Sequence, residues 1–196
     1  AGVAVIGLGL GSLRPTITFG TNATADIDVS AANVSVQNMI FVAAVASAAT
    51  CFEVAAAANF TVEYCDFRDN AATTGFINLI DTNATANAAD GLYFGHNRWK
   101  SLDDVAATTA IEIDEAIDRM VVTDNFMVGV DVANTPLLLE AATFDLTNVE
   151  ISYNRIFRPS DYSTSGCLFE TSSTASSGFV HHNLVRCLDA AAILLV

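Results

Sequence analysis

Short alternations of apolar and polar residues recur along this chain, and one of them is VEISYNRI at positions 149–156. Similar stretches are LYFGHNRW (92–99), MVVTDNFM (120–127) and GFVHHNLV (178–185). When they are aligned on the asparagine, each has an apolar residue three positions before it and another two positions after it. Alternation with a period of two over so few residues predicts a short β-strand on each side of the asparagine.

The pattern continues toward the N-terminus with other residues at the asparagine position, which we call the marker position. The marker is Cys65 in FTVEYCDF, Met39 in VSVQNMIF and Leu8 in VAVIGLGL. Successive markers are separated by 31, 26, 32, 28, 29 and 29 residues. Most intervals contain one further short apolar stretch: CFEV (51–54), FINLI (76–80), AIEI (110–113), PLLLE (136–140) or CLFE (167–170). The segments between these stretches are small and turn-like, as in TNATANAAD and SSTASSG.

Short strands at a regular period, without helical periodicity between them, predict a solenoid. The expected fold class is all-β, a single-stranded parallel β-helix of about seven coils with 26–32 residues per coil. A leucine-rich repeat is the nearest alternative, but its L-x-x-L-x-L signature is missing. A β-sandwich would space its strands without a recurring internal motif. We expect residues 1–196 to form one domain, either complete or a fragment of a longer chain.

The recurring asparagines have a structural explanation in such a fold, since the same position of every coil stacks on its neighbours. An inward asparagine at the bend between two strands can bond backbone groups that the bend leaves unpaired, and its amide can bond the next asparagine. This reasoning predicts a structural ladder formed by Asn97, Asn125, Asn154 and Asn183. Toward the N-terminus the column continues as Cys65, Met39 and Leu8, where we expect apolar stacking in place of the amide ladder.

Composition excludes several classes of protein. Hydrophobic residues make up 52% of the chain and charged residues 15%, which argues against a disordered chain. No apolar run reaches the roughly 20 residues needed to span a bilayer. Eight Lys and Arg against 22 Asp and Glu give a net charge of −14, which disfavours nucleic acid and anionic membranes as partners. The four cysteines form no metal-ligand pattern, so we expect buried free thiols and no cofactor.

The coil pattern resembles that of the right-handed parallel β-helix (pectate-lyase-like) superfamily. The segment GVAVIGLGLGSLRPTITF (2–19) looks like the first coil of such proteins, and the alanine- and threonine-rich coils look like those of tailed-phage structural proteins. This resemblance implies a non-enzymatic virion protein, a β-helical module of a fibre, spike or capsid decoration. Its expected partners are copies of itself in a homotrimer, other virion proteins and a host surface polysaccharide. The alternative is a secreted bacterial protein that cleaves polysaccharide as a lyase or hydrolase, or a carbohydrate-binding module.

An enzyme of this superfamily would need clustered carboxylates on one outer face. The nearest candidate is YCDFRDN (64–70), with Asp66, Arg68 and Asp69 as weak catalytic candidates. The column that begins at Asp66 continues along the coils as Arg98, Phe126, Arg155 and Leu184, so no second carboxylate joins it. This favours a solvated outer face over a catalytic site.

Basic residues follow the marker positions, so stacking collects them on one face of an acidic rod. The candidate interface or glycan-binding face consists of Tyr64, His96, Arg98, Lys100, Tyr153, Arg155 and Arg186. Carboxylates recur beside the other strand of each coil: Glu53, Asp81, Glu112, Asp114, Glu140 and Glu170. We expect the basic face of one subunit to pack on the acidic face of the next. The alternative is scattered surface charge that prevents edge aggregation.

Two further features have structural explanations. His181 and His182 lack a third ligand at a suitable spacing, so strand alternation predicts that His181 points inward and His182 outward, with no metal site. The apolar AAILLV (191–196) predicts that another chain or domain covers this end, or that the chain is truncated.

Overall fold

The computed structural model describes residues 2–55, 57–71, 73–82, 89–101, 109–128, 137–141, 144–158, 169–170 and 173–187. Within these ranges the chain is all-β, and its only helical element is a single 3₁₀ turn at Gly11–Leu13. No helix in the described ranges is long and apolar enough to cross a membrane.

The strands form three parallel sheets that run the length of the rod. Sheet A contains Val3–Ile6, Val34–Gln37, Thr61–Glu63, Tyr93–Gly95, Val121–Thr123, Val149–Ser152 and Gly178–His181. Sheet B contains Thr16–Phe19, Ile40–Ala43, Asp66–Asp69, Arg98–Lys100, Phe126–Val128, Arg155–Arg158 and Leu184–Cys187. Sheet C contains Ile27–Val29, Ala48–Val54, Phe76–Thr82, Thr109–Ile113, Leu137–Glu140 and Phe169–Glu170. Two short strands, Ile117–Asp118 and Leu146–Thr147, pair as a small sheet D.

This order makes the chain a parallel β-solenoid, because each strand pairs with the equivalent strand one turn later and never with its neighbour in sequence. The predicted fold class is therefore confirmed. The predicted count of seven coils is too high. About five turns carry a sheet C strand of at least three residues, and the sixth strand of that sheet, Phe169–Glu170, has only two. The right-handed winding stays a prediction.

The core is built from columns of inward side chains that stack from turn to turn. In sheet A the column is Val36, Val62, Phe94, Val122 and Ile151, and in sheet B it is Phe41, Phe67, Trp99, Met127 and Ile156. The rings of Phe41 and Phe67 stack with centroids 5.3 Å apart. Each buried phenylalanine contributes about 1.5–3 kcal/mol relative to an exposed one. Alternation therefore places the hydrophobic half of every strand inside the rod.

The first coil departs from the sequence pattern. Leu8 was expected at its marker position, but its side chain is 84% exposed and it precedes the 3₁₀ turn. The N–H of Ile40 donates to the carbonyl of Pro15 at 2.9 Å, so Pro15 lies against Met39 in the marker column. The prediction for Leu8 is wrong because this coil inserts a loop between its sheet A and sheet B strands. Counting residues from the sheet A strand alone does not reveal that loop.

Candidate functional site

The bend between sheets A and B is built in the same way on successive coils. The residue before each marker has a left-handed backbone, with φ between 54° and 57°, at Asn38, Tyr64, His96, Asp124, Tyr153 and His182. A left-handed residue other than glycine costs about 1 kcal/mol, and Asn, Asp and His tolerate it best. Tyrosine is less suited to this conformation, so surrounding contacts must hold the bend. Sequence analysis placed Tyr64, His96 and Tyr153 on an outer face and His182 outward, but it did not predict their backbone conformation.

Those contacts come from the asparagine of the following coil. The Oδ1 atom of Asn125 accepts the N–H of Asn97 at 3.0 Å, and its Nδ2 donates to the carbonyl of Phe94 at 2.9 Å. Asn97, Asn154 and Asn183 make the same two bonds to the coil before them, at 2.8–3.1 Å. Each asparagine therefore closes the bend of its neighbour by bonding the backbone at both ends of it.

The asparagine side chains also bond one another. Asn125 donates from Nδ2 to Oδ1 of Asn154 at 2.9 Å, and Asn154 donates likewise to Asn183 at 3.0 Å. Asn154 thus uses both amide hydrogens and accepts two bonds on its oxygen, although its side chain is fully buried. Buried polar groups satisfied in this way stabilise the coil and do not present reactive atoms to solvent.

Cys65 replaces asparagine at the N-terminal end of the ladder. Its Sγ lies 3.7 Å from the carbonyl of Val36, the acceptor that an asparagine amide would reach at this position. Burial raises the pKa of the Cys65 thiol to about 11 and also raises that of Cys51. Both are buried free thiols, which are poor nucleophiles at neutral pH. Cys167 and the side chain of Cys187 lie outside the described residues.

A second bend, which leads into sheet A, also has left-handed residues. They are Asn33, Asn59, Arg119 and Asn148, with Gly91 in the same column at φ 76°. Asn59 donates from Nδ2 to Oδ1 of Asn33 at 3.0 Å, and a Cβ on Gly91 would lie 2.4 Å from Oδ1 of Asn59. Sequence analysis missed this bend. The available signal was the recurrence of Asn or Gly one or two residues before most of the sheet A strands.

On the outside of the first bend, aromatic rings stack between coils. Tyr64 and His96 lie parallel with centroids 4.8 Å apart, and Tyr153 and His182 lie parallel at 5.0 Å. Tyr64 and Tyr153 are about half exposed. Asp124 occupies the same column between the two pairs. The structure therefore brings the predicted aromatic residues together as a stacked column at the edge of sheet B.

The basic candidates lie next to this column on the outer face of sheet B. Strand register places Arg98 and Arg155 in one outward column, and Arg68, Lys100 and Arg186 in another. The guanidinium of Arg98 lies over the ring of Phe126, 5.6 Å from its centroid. Arg158 belongs to the same strand as Arg155, but its side chain is outside the description.

The weak catalytic candidates do not form an open carboxylate pair. The Asp66 carboxylate is 6% exposed because the guanidinium groups of Arg14 and Arg68 both pair with it, Arg14 at 3.0 Å. The hydrogen bond that Arg68 donates to Asp66 raises the pKa of Arg68. Asp69 is buried, and a separation of three residues along a strand puts it on the opposite face from Asp66. The arrangement favours a structural ion-pair cluster that holds the first coil against the third.

Sheet C carries a column of carboxylates in register. It runs through Asp28, Glu53, Asp81, Glu112, Glu140 and Glu170, so it includes Asp28, which sequence analysis missed, and excludes Asp114. The side chains of Glu140 and Glu170 lie outside the description. Carboxylate oxygens of Asp26, Asp28 and Glu53 lie within 4.8 Å of one another. Burial, followed by the charges of Glu112, Asp114 and Glu53, raises the pKa of Asp81 to about 6.

His181 and His182 differ from the expectation that they point to opposite sides. Their Nδ1 atoms lie only 2.8 Å apart. Strand register pairs Val180 with the inward Ile151 and His181 with Ser152, so alternation itself places His181 on the outer face, next to the left-handed bend at His182. The prediction of an inward His181 is therefore wrong.

Comparison with protein-family models, with curated proteins and with solved structures finds no match for this chain. The β-solenoid is consistent with the resemblance drawn from the coil pattern. Membership of the pectate-lyase-like superfamily and the phage type both stay predictions.

Replacing Asn125 by alanine should lower the free energy of unfolding by about 2–5 kcal/mol, because the Asn97 N–H and the Phe94 carbonyl each lose a partner inside the rod. Denaturant unfolding measures this change. The control is Asn70→Ala at an exposed position, for which a change within about 0.5 kcal/mol is expected. Equal stability of the two variants would contradict the ladder's structural role.

Because the pKa of Asp81 is higher in the folded than in the unfolded state, this residue favours folding more at low pH than at neutral pH. Its folded pKa of about 6 lies above the unfolded value of about 3.8, so its contribution is fully present below the unfolded pKa and is lost as pH rises through 6. The difference in Tm between Asp81→Asn and the parent chain should therefore be larger at pH 7 than at pH 4.5, with the variant more stable at pH 7. Asp118→Asn is the control, since hydrogen bonding from Asn148 lowers the Asp118 pKa. A pH-independent difference for Asp81→Asn would contradict this account.

Proposed function

We propose that this chain is a non-enzymatic structural protein, a β-helical module of a phage fibre, spike or capsid decoration in the virion. We further propose that copies associate side by side, basic sheet B face to acidic sheet C face, in a homotrimer that also contacts other virion proteins. The observation that carries the proposal is the segregation of charge onto two faces of one rigid rod.

The sheet B face is basic although the chain as a whole carries a charge of −14. Its outward columns contain Arg68, Arg98, Lys100, Arg155 and Arg186. In the described part of these columns the one carboxylate is Asp66, which is paired with Arg14 and Arg68. Cations collected on one face of an acidic protein are available for an acidic partner. An oppositely charged face of another copy meets that requirement.

The sheet C column of carboxylates is such a face, and its spacing along the rod matches that of the basic columns on sheet B. Both columns repeat once per coil, which is about 4.8 Å between paired strands. Two parallel rods can therefore align several cations with several carboxylates at once. A contact between two different faces of the same chain is heterologous and closes into a ring when the rotation between neighbours permits. The proposed ring has three subunits.

The stacked aromatic column supports a structural role more than a sugar-binding one. A sugar packs against an open ring face, but the parallel stacking of Tyr64 on His96 and of Tyr153 on His182 covers one face of each ring. The same rings rigidify the bend beside the basic columns. Host polysaccharide remains a proposed secondary ligand through the arginine side chains.

The alternative function is polysaccharide cleavage by a lyase or hydrolase in a secreted protein. It requires an accessible carboxylate pair, and the pairing of Asp66 with two arginines argues against that site. Release of unsaturated or reducing sugars from acidic polysaccharides by the purified chain would favour this alternative.

The charge-face proposal predicts that Arg98→Glu together with Arg155→Glu dissociates the oligomer, because two attractive contacts per interface become repulsive. Size-exclusion chromatography with light scattering should show the monomer mass for this variant and a trimer mass for the parent chain. High salt should also dissociate the parent assembly.

Two controls sharpen this test. Arg119→Glu makes the same charge change at the other bend, beside Asp118, and should leave the mass unchanged. Adding Glu53→Arg and Glu112→Arg to the double variant should restore the trimer by reversing both faces. An unchanged mass for the double variant would refute the proposed interface.

A further inference from the structure

The last described coil brings two imidazoles into direct contact on the outside of the rod. The Nδ1 atoms of His181 and His182 lie 2.8 Å apart, and the two ring planes are perpendicular. His182 is exposed, and about a third of the His181 side chain is accessible to solvent. Solvent therefore reaches both side chains.

Neighbouring groups favour a ligand role for His181 Nδ1. A carboxylate oxygen of Glu150 lies 3.6 Å from His181 Nε2, and the same oxygen accepts the hydroxyl of Ser152 at 2.7 Å. A carboxylate on one ring nitrogen holds the proton there and leaves the other nitrogen with its lone pair free. Metal-binding histidines commonly have such a carboxylate partner.

The ring of His182 is also fixed in place. It stacks on Tyr153 with centroids 5.0 Å apart and 12° between the planes, while His181 meets the edge of the same tyrosine. The left-handed backbone of His182 sets the direction of its side chain. Two ligands held this firmly lose little conformational entropy when they bind an ion.

We propose that His181 and His182 bind a divalent transition-metal ion through their Nδ1 atoms, with Cu²⁺ preferred to Zn²⁺. Metal–imidazole bonds of about 2.0 Å place two nitrogens about 2.8 Å apart at a right angle and about 3.3 Å apart at a tetrahedral angle. The observed separation fits the right angle, which is the geometry of square-planar or tetragonal Cu²⁺. Water completes the coordination.

Binding requires one change of protonation at the pair. In the metal-free pair one Nδ1 donates a hydrogen to the other, and the Glu150 contact assigns the donor to His182. On binding, this proton moves to Nε2 of His182 through solvent, so both rings stay neutral and no net proton is released at neutral pH.

The test is titration of the full 196-residue chain with Cu²⁺, and separately with Zn²⁺, in a non-coordinating buffer at pH 7.5. Calorimetry should show one Cu²⁺ per chain, weakened about tenfold or more by His181→Ala or His182→Ala. Glu150→Gln should weaken it about tenfold, as loss of a carboxylate partner does at other histidine sites. Zn²⁺ should bind more weakly than Cu²⁺.

The third histidine of the chain provides the matched control. His96 lies in the same outward column as His182 but stacks on Tyr64, so His96→Ala should leave Cu²⁺ affinity unchanged within about twofold. Paramagnetic Cu²⁺ should broaden the imidazole NMR signals of His181 and His182 and leave that of His96 sharp. Circular dichroism verifies that each variant is folded. Equal Cu²⁺ affinity in all three histidine variants, or equal broadening of all three signals, would overturn the proposal.

Discussion

The fold depends on one recurring kind of hydrogen bond. Where the chain leaves a sheet, an asparagine side chain bonds the backbone. Between sheets A and B the strands stop pairing, and the Asn97 N–H and the Phe94 carbonyl lie on either side of the bend inside the rod. Asn125 of the next coil bonds both. Because each bend is closed by its successor, the coils are held in register, and register makes every other position of the coil a column.

Columns bring like residues together, so that apolar side chains pack favourably and charged side chains of the same sign repel one another. The stacked rings of Phe41 and Phe67 gain contact in this way. Carboxylates stacked at the same spacing repel one another: burial raises the pKa of Asp81 most, and the charges of Glu112, Asp114 and Glu53 raise it further. A column of carboxylates on the rod attracts cations. The proposed basic face of a second copy would relieve this repulsion, which connects the stability of one rod to its assembly.

The fold was largely predictable from sequence because a solenoid repeats its signal. The alignment of Asn97, Asn125, Asn154 and Asn183 predicted which residues share a column, and strand register places Asp66, Arg98, Phe126 and Arg155 together as expected. Non-repeating local features were not predictable in this way. The loop that displaces Leu8 occurs in one coil. The error at His181 was of another kind, because the aligned pattern that puts Val180 inward also puts His181 outward. Ion pairs between coils, such as that of Arg14 with Asp66, could not be predicted because their partners are far apart in sequence and belong to no repeated motif.

The central claim, that buried asparagine amides close the bends, is tested most directly by hydrogen exchange of side-chain amides in a ¹⁵N-labelled sample. Asn125 and Asn154 each donate both amide hydrogens inside the rod. The account predicts that their Nδ2 hydrogens exchange as slowly as the backbone amides of the neighbouring sheet A strands and far more slowly than those of exposed Asn70. Exchange of the Asn125 and Asn154 side chains at the rate of Asn70 would contradict it.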